Sequence, residues 1–450
     1  MNKQSFGHPR TAVLKSLAVA IGVIGAGAAH AAAFQLMEGN ASGLGNAYAG
    51  SAAVAEDAST VFYNPAGMSL LPGRNVAFSV DAVRPSAEFS NKGSTAAALS
   101  PLGGNGGDAG EWAAVPAGYF TMQITDALTF GLGVGAPFGL KTEYSPSWVG
   151  RFHAVKSEIK TININPSLSF KVNDKLAIGG GISYQNIDAD LTSMVNYSAV
   201  IAQASSNALL IPGVSGRAKI EGDDNAWGWN IGLIYQLTPT MRIGLAYRST
   251  MDYTLKGTAK FDAPDSGSVG GNAIIAGFNG TRAGHVKADV ELPDSATMSV
   301  VEKISDRWTM MGDISWTGWS TLQSLKVNNV NGTTVSNEEL RWRDTWRVAF
   351  GGTYAYTDAI ALKFGLAWDQ TPVRDSTRLP RVPDEDRFWL SFGAQWKPTP
   401  GSAVDLGYAH LFVKDAKVNN SGGSAAGKGL LSGEYDNSVD IIGIQYSARF

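Results

Sequence analysis

At the end of the chain, apolar and polar side chains alternate from Ile444 to Phe450. Phe450, Tyr446 and Ile444 fall on one face of a strand, whereas Arg449 and Gln445 fall on the other, because successive side chains of a strand point to opposite faces. A last strand that is apolar outside, polar inside and ends on an aromatic residue is typical of bacterial outer-membrane barrels. The sequence therefore predicts a protein of the outer membrane of a Gram-negative bacterium, whose last strand contacts the barrel assembly machinery.

Fourteen segments of the chain show such alternation. They cover 75–90, 113–125, 127–138, 156–171, 175–196, 223–237, 241–258, 284–303, 306–325, 339–355, 359–370, 385–397, 402–415 and 436–450. Short polar turns and long loops alternate between them, as in an even-stranded barrel with short periplasmic turns and long outer loops. A soluble sandwich or propeller does not produce this order. We therefore predict an all-β membrane protein, a 14-stranded antiparallel transmembrane β-barrel over residues 75–450.

Composition and charge agree with a barrel and limit its partners. The mean hydropathy is −0.05, and no run of about 20 apolar residues follows residue 31, which excludes a bundle of membrane-spanning helices. The net charge of −3 gives no reason to expect nucleic acid as a partner. We expect a monomer surrounded by outer-membrane lipid. Residues 1–31 have the features of a signal peptide, since Arg10 and Lys15 precede an apolar stretch with a small-residue cleavage site. The alternative is a single membrane anchor.

The alternation also predicts which side chains face lipid. Between residues 241 and 255 the apolar residues share one face: Met241, Ile243, Leu245, Tyr247, Met251, Tyr253 and Leu255. A charge on the lipid face costs about 2–4 kcal/mol at the bilayer midplane. We therefore expect this apolar face to contact lipid, and Arg242, Arg248 and Asp252 to point into the lumen.

The segment from Ala32 to Arg74 does not alternate and is rich in Ala and Gly. Within it, Asn64-Pro65-Ala66 predicts the start of a helix, with Asn64 as N-cap and Pro65 at the first helical position. Apolar residues such as Leu44 and Val61 argue against a disordered periplasmic tail. We predict a small, partly helical hatch, residues 32–74, that plugs the lumen.

Several stretches resemble one family of outer-membrane proteins. Residues 34–73, with the sequence FQLMEGNASGLGNAYAGSAAVAEDASTVFYNPAGMSLLPG, resemble the hatch of the FadL-type long-chain fatty acid transporters, and 306–322, 341–354 and 381–396 resemble later motifs of that family. The resemblance implies a fourteen-stranded, plugged barrel that binds hydrophobic substrates at its outer loops, takes them into the lumen and releases them sideways near a kinked third strand. It also implies that the mature N-terminus reaches the binding pocket, a role that falls on Phe34 here.

The third segment offers a physical reason for such a kink. It reads FGLGVGAPFG from Phe130 to Gly139, so that Gly133, Gly135 and Pro137 lie inside a predicted wall strand. Proline cannot donate to the strand ladder, and glycine marks bulges and bends. We predict locally broken pairing and a lateral exit at these residues. The alternative is an ordinary loop that begins at Pro137.

These features predict a passive uptake channel for long-chain fatty acids or similar hydrophobic molecules, without a cofactor. We expect an apolar tail to contact Phe34 and the loop residues Leu209, Leu210 and Ile211. Uptake of aromatic or alkane hydrocarbons is the alternative within the family. A general porin and an outer-membrane enzyme are the alternatives outside it.

Basic residues on the tenth segment are candidates for binding a carboxylate. Arg341, Arg343 and Arg347 are expected on its lumenal face, where Arg341 and Arg343 could form charge-assisted hydrogen bonds with a fatty acid. The equally acceptable alternative is a structural charge ladder with lumenal acids such as Asp313 and Asp405.

Other residues that could suggest an active site have simpler explanations. The five His are scattered without metal-ligand spacing, so we expect no metal site. Asp384-Glu385-Asp386 is expected to form a solvated acidic rim rather than a pair of catalytic carboxylates. No Ser-His-Asp arrangement follows from the spacing, so we expect no enzyme activity.

Overall fold

The structure is a computed structural model that describes residues 33–422 and 425–450. Within these residues the strands form one closed antiparallel barrel, and the segment before the first strand is buried inside it. The signal peptide predicted over residues 1–31 lies outside the described residues. No helix in the described ranges is both long and apolar enough to cross a bilayer.

Twenty strand segments form the wall within the described residues. They are β1 (Arg74–Asn91), β2 (Ala113–Gln123), β3 (Leu128–Gly135), β4 (Gly139–Glu143), β5 (Lys156–Lys171), β6 (Leu176–Asn196), β7 (Ser215–Gln236), β8 (Met241–Arg248), β9 (Met251–Phe261), β10 (Gly284–Leu292), β11 (Ser295–Lys303), β12 (Trp308–Thr317), β13 (Ser324–Asn329), β14 (Thr334–Glu339), β15 (Thr345–Ala355), β16 (Ile360–Asp369), β17 (Arg387–Thr399), β18 (Ser402–Val413), β19 (Ala416–Asn420) and β20 (Leu431–Arg449).

These segments combine into fourteen wall strands in the described part of the chain, because six wall strands are interrupted once. The interrupted pairs are β3–β4, β8–β9, β10–β11, β12–β13, β14–β15 and β18–β19. Neighbours pair antiparallel in chain order, and β20 pairs with β1 from Asn75↔Arg449 to Asn91↔Gly433, which closes the barrel. The predicted strand number and antiparallel order are confirmed.

Short helices lie in the lumen and in the long loops. They are α1 (Ala41–Leu44), α2 (Thr60–Tyr63) and a 3-10 helix (Pro65–Leu70) before β1, and α3 (Tyr197–Ala204), α4 (Val269–Arg282), a second 3-10 helix (Trp319–Thr321) and α5 (Ala425–Lys428) in the loops.

The outer face of the last strand is apolar, as the sequence predicts. Ile442, Ile444 and Tyr446 keep about half of their surface exposed, at 53%, 54% and 48%, whereas Gln445 between them is 1% exposed. The apolar residues therefore face outward, where a bilayer covers them, and the polar residues face the lumen.

The interruption between β8 and β9 reverses the faces of that wall strand and corrects one prediction. Leu245 points outward, but the apolar residues beyond Ser249 point into the lumen, and Asp252 points out. The residues that turn inward against the prediction are Met251, Tyr253 and Leu255. The neighbouring strand is interrupted at the same level, because the ladder skips 249–250 opposite 293–294, and Pro293 has no N–H to continue it. Above the lipid the outer face meets water, so burial of apolar side chains favours the lumen.

Asn64 fixes the hatch to the wall. Its Oδ1 accepts a hydrogen bond of 3.0 Å from the backbone N–H of Ala66, and its Nδ2 donates to the carbonyls of Leu233 at 3.0 Å and Leu245 at 3.3 Å. The predicted helix start is present, with Pro65 in the first turn, although the helix is of the 3-10 type. One side chain thus caps a hatch helix and bonds to β7 and β8.

Glycines on the inner wall allow the hatch backbone to approach closely. A Cβ at Gly244 of β8 would lie 1.9 Å from the carbonyl oxygen of Ala52, and a Cβ at Gly365 of β16 would lie 2.1 Å from the carbonyl carbon of Asn46. No other residue fits at these positions without a shift of the backbone opposite.

Charged side chains on the inner wall complete the attachment of the hatch. Lys363 Nζ on β16 lies 3.0 Å from Glu56 Oε2 in the hatch and 3.0 Å from Asp405 Oδ1 on β18. Arg347 donates to the carbonyl of Ala47 at 2.6 Å and lies 3.6 Å from Asp313 Oδ1. For Arg347 this arrangement favours the structural charge ladder over ligand binding.

Candidate functional site: a lumenal cavity beside a broken wall strand

An apolar cavity lies in the lumen at the end of the barrel that carries the long loops. Its empty space is about 980 Å³, including the part open to solvent. The wall strands contribute Ile159, Ile187, Leu255, Val286, Ala288, Val290, Leu292, Leu325 and Val327, and the loops contribute Leu340, Leu379 and Val382. Several of these residues lie beyond the strand interruptions, so the reversal of faces creates the apolar lining.

Phe34 lines this cavity from the hatch. Its ring centroid lies 4.9 Å from that of Trp319, 5.7 Å from that of Trp342 and 6.0 Å from that of Phe138. Edge and tilted packing at these distances is favourable for aromatic rings. The structure thus places Phe34 where the family resemblance expects it, while its role in binding stays a prediction.

Arg381 provides a cationic group at the cavity wall. Its Nη1 donates to Ser157 Oγ at 3.0 Å and to the carbonyl of Lys156 at 3.2 Å. In the part of the chain that the structure describes, no carboxylate lies within 4.0 Å of this guanidinium, and Glu338 pairs instead with Lys428 at 3.2 Å. Burial lowers the pKa of Arg381, and the charge of Glu338 opposes that effect. An arginine has five N–H donors, so the N–H groups of Arg381 that do not bond to Ser157 or Lys156 can donate to a carboxylate.

The third wall strand is broken close to where the sequence predicts. β3 ends at Gly135 and β4 begins at Gly139, and the ladder between β2 and β3 stops at Gly118↔Val134. Gly133 still pairs with both neighbouring strands. Residues 113–117 of β2 pair with β1 on one side only. The break at Pro137 is therefore real, and the lateral exit stays a prediction.

The hatch forms hydrogen bonds with the broken strand. The backbone N–H of Leu36 donates to the carbonyl of Pro137, and the backbone N–H of Gly139 donates to the carbonyl of Phe34, both at 2.8 Å. The residue that lines the cavity is thus bonded directly to the interruption of the wall. A displacement of Phe34 from the cavity has to disturb these two hydrogen bonds.

The acidic run before β17 holds the hatch and is not a solvated rim. Asp384 is 5% exposed, accepts a hydrogen bond of 2.9 Å from the backbone N–H of Ala33 and pairs with Arg387. Glu385 pairs with Arg378 at 2.6 Å. The expectation of a solvated rim is wrong because nearby arginines neutralise both carboxylates and allow their burial.

The predicted carboxylate site at Arg341 and Arg343 is not formed. β15 begins only at Thr345, and Arg341 has φ +49° and a side chain 63% exposed that pairs with Glu339. Arg343 donates from Nε to the carbonyl of Thr371 at 3.2 Å. The strand interruption removes the regular alternation on which the lumenal assignment depended.

The predicted loop residues lie apart from the cavity. Leu209 and Ile211 pack in a cluster with Tyr197 and Ile275 of the loop helices α3 and α4, and Leu210 is 59% exposed. None of the three lines the cavity that contains Phe34. The expectation of one shared pocket is wrong, because Leu209 and Ile211 pack against the loop helices and Leu210 is exposed.

Sequence reasoning missed Trp342 and Arg381 as cavity residues and Trp319 as a residue that packs against Phe34. The two tryptophans lie in the interruptions between β12 and β13 and between β14 and β15, where alternation gives no information. Arg381 opens a stretch that resembles a family motif, and it stands between the apolar residues Leu379 and Val382. The same loop also contains Arg374, Asp375 and Arg378, so charge alone did not distinguish Arg381.

A closed fourteen-strand barrel with a filled lumen, an apolar cavity and a broken wall strand defines a plugged channel for hydrophobic molecules. Residues 22–450 match the family described as outer membrane protein transport protein (OMPP1/FadL/TodX), so the chain belongs to this family. It is therefore an outer-membrane protein, and its family transports hydrophobic compounds.

Relatives and solved structures agree with this assignment. The chain is 33% identical to outer membrane protein P1 of Haemophilus influenzae, over 90% of this chain and 91% of that protein. It is 29% identical to the long-chain fatty acid transport protein of Escherichia coli K12, over 90% and 93%. The crystal structure of a Pseudomonas aeruginosa FadL homologue superposes with a TM-score of 0.85 at 27% identity, over 93% and 100%. The P. putida toluene transporter TodX, at 19% identity and a TM-score of 0.63 over 87% and 94%, supports the fold alone.

Proposed function

We propose that the protein takes up long-chain fatty acids. The main observation that supports this proposal is an apolar cavity that contains Phe34 and has at its wall a guanidinium without a paired carboxylate. The apolar lining suits a long hydrocarbon tail, and Arg381 suits one carboxylate. The E. coli relative named as a long-chain fatty acid transport protein supports the same cargo.

The tail supplies most of the binding free energy in this proposal. Burial of one methylene group contributes about 0.8 kcal/mol, which corresponds to about a fourfold gain in affinity. We expect affinity to rise with chain length until the tail fills the cavity. The head group contributes a smaller share of the binding free energy and provides selectivity for acids.

In this proposal, release of the fatty acid depends on the hydrogen bonds between the hatch and the third wall strand. A tail that takes the place of the Phe34 ring moves the backbone that bonds to Pro137 and Gly139. The edge of β2 at 113–117 then lies beside an unpaired part of the wall, through which an apolar molecule leaves sideways. No energy source is needed, because the substrate gradient drives the movement.

The test compares an acid with its alcohol on two arginine variants. In Arg381→Met we expect binding of hexadecanoic acid to fall about ten- to a hundredfold, since a lost charged hydrogen bond costs roughly 1.5–3 kcal/mol. Binding of hexadecan-1-ol should stay unchanged, as should binding of both ligands to Arg341→Met, whose arginine is exposed. Native mass spectrometry of the purified protein with each ligand measures this.

Two outcomes would contradict the proposal. An equal loss of acid and alcohol in Arg381→Met would mean that this arginine only supports the cavity. Tight binding of toluene by the wild type, with no binding of the acid, would instead favour the hydrocarbon alternative.

A further inference from the structure

A belt of polar side chains lies directly below the apolar cavity. Its members are cross-strand partners on neighbouring wall strands: Asn230, Arg248, Ser295, Thr317 and Thr345. The strand interruptions follow immediately, and the residues beyond them, Met251, Leu292, Trp319 and Trp342, belong to the apolar core around the cavity. The lumen therefore changes from apolar to polar within a few residues of each strand.

This polar belt faces a second cavity, which is also lined by Pro137 and Phe138 of the broken strand. The hatch residues Gln35 and Phe62 line it from the other side. The polar belt and the interruption of the wall therefore line the same second cavity. A molecule in this cavity can contact both.

Arg248 has no acidic partner in this position. Its Nη1 donates to Ser183 Oγ at 3.2 Å and its Nη2 to the carbonyl of Phe62 at 2.9 Å, and its guanidinium carbon lies 4.4 Å from the centre of the Phe62 ring. Among the described residues, no carboxylate lies within 4.0 Å of it. A cation inside a barrel without a counter-charge is costly unless an anion joins it.

Asn230 supplies an independent observation at the same place. It is 3% exposed, and its Oδ1 accepts a hydrogen bond of 2.9 Å from Asn165 Nδ2, but its own Nδ2 has no partner. Buried donors without a partner are rare in native proteins. Asn230 and Arg248 are direct cross-strand partners, so an amide donor without a partner and a guanidinium without a paired carboxylate lie side by side on one cavity.

A hatch side chain accepts a hydrogen bond from another member of the belt. Gln35 Oε1 accepts a hydrogen bond of 3.1 Å from Thr317 Oγ1. Gln35 is the residue next to Phe34, so it leaves the belt when Phe34 leaves the cavity. The hydroxyl group of Thr317 can then donate to a carboxylate oxygen instead of to Gln35 Oε1.

We propose that Arg248 and Asn230 form a second carboxylate site, where the head group of a fatty acid binds in the second cavity beside the broken strand. This proposal rests on the proposed function, because it assumes that an acid enters the lumen. Arg347 lines the same cavity but is bound to Ala47 and Asp313. Arg248 is therefore the cation available for a passing anion.

The experiment measures import and binding separately. The full chain is produced in cells that lack their own fatty acid channel, and initial import rates of hexadecanoic acid and hexadecan-1-ol are compared. In Arg248→Met we expect acid import to fall about tenfold, as for a lost charge-assisted hydrogen bond, with alcohol import unchanged. Equilibrium binding of the acid should stay close to the wild-type value, because the cavity with Arg381 is intact.

Two further variants separate charge from structure. Arg248→Lys retains the charge and should restore much of the acid import. Asn230→Asp gives Arg248 an internal carboxylate and should slow acid import without removing the arginine. Equal loss of acid and alcohol import in Arg248→Met, or normal acid import in both Arg248→Met and Asn230→Asp, would overturn the proposal. Failure of the wild type to bind the acid would instead contradict the proposed function itself.

Discussion

Lys363 on the barrel wall and Glu56 in the hatch form an ion pair with a separation of 3.0 Å across 307 residues of sequence. Lys363 also neutralises Asp405, and the side chains of both are 1% exposed. Removal of one partner from a buried ion pair such as Lys363–Asp405 typically costs about 3–5 kcal/mol, because the remaining charge has no counter-ion. Glu56, whose side chain is 34% exposed, contributes less, and through it Lys363 attaches the hatch to the wall.

We expect Lys363→Met to loosen the hatch and raise the ion conductance of the channel. Two carboxylates then lack a cation, and their repulsion favours movement of the hatch segment that carries Glu56. Single-channel recording in planar bilayers measures the change. Lys303→Met is the matched control, because Lys303 is 53% exposed and pairs only with Asp306 at a turn. Unchanged conductance in a folded Lys363→Met barrel would show that other contacts suffice.

A second prediction concerns the close approach of the hatch to the wall. Gly244→Val should displace the hatch, since even the Cβ would lie 1.9 Å from the carbonyl oxygen of Ala52. We expect higher conductance or a lower unfolding temperature for this variant. Gly180→Val is the control, because its nearest neighbour is 3.5 Å from the added Cβ. Similar behaviour of the two variants would argue against steric docking at Gly244.

The broken third strand gives a third prediction. Gly135→Thr combined with Pro137→Val supplies residues that favour regular pairing and restores a backbone donor, so import of hexadecanoic acid should fall severalfold while binding remains. Gly135 has room for a side chain, with the nearest atom 3.6 Å from its Cβ. Pro166→Val is the control, because Pro166 lies in the uninterrupted strand β5 opposite Leu132. Normal import by a variant with demonstrated pairing at this position would exclude release there.

His153 in the outer loops leads to a prediction on pH. Burial lowers its pKa to about 3, and the positive charges of Lys428 and Arg381 act in the same direction. An unfolded loop has a histidine pKa of about 6.5, so between these values the unfolded state binds the extra proton. The stabilisation is complete above pH of about 6.5 and decreases as the pH falls towards the folded pKa.

We therefore expect the outer loops to become accessible to protease as the pH falls below about 6. His153→Gln removes the titrating group and should flatten this dependence. His285, which is exposed, serves as the control position through His285→Gln. A pH profile that is identical in wild type and His153→Gln would assign the acid sensitivity to other groups.

Much of the barrel could be predicted from the sequence because strand alternation has one physical cause. Lipid outside and a polar lumen inside impose a period of two on every spanning strand, and Ile444 and Gln445 show that pattern directly. The start of the hatch helix at Asn64 could be predicted for a similar reason, since capping chemistry is local. The contact of the last strand with the barrel assembly machinery stays a prediction.

The cavity was harder to predict because its residues depend on breaks in that period. On this wall strand Leu245 points outward, whereas Met251, at a position of the same parity, points into the lumen. Nothing in the alternation marks the level where lipid ends. Arg341 was assigned to a strand that in the structure begins only at Thr345. Arg381 and Asp384 act through contacts with residues far along the chain, which no local pattern reveals.

The reversal of faces at Ser249 and Pro293 separates two requirements on one wall. Below this level, a substitution at an outward position such as Leu245 changes how the protein fits its bilayer and leaves the cargo untouched. Above it, a substitution at Leu255 or Leu292 alters the shape offered to the cargo and leaves the membrane contact untouched. The same strands can therefore be adapted to a new cargo or to a new bilayer by independent mutations, a few residues apart.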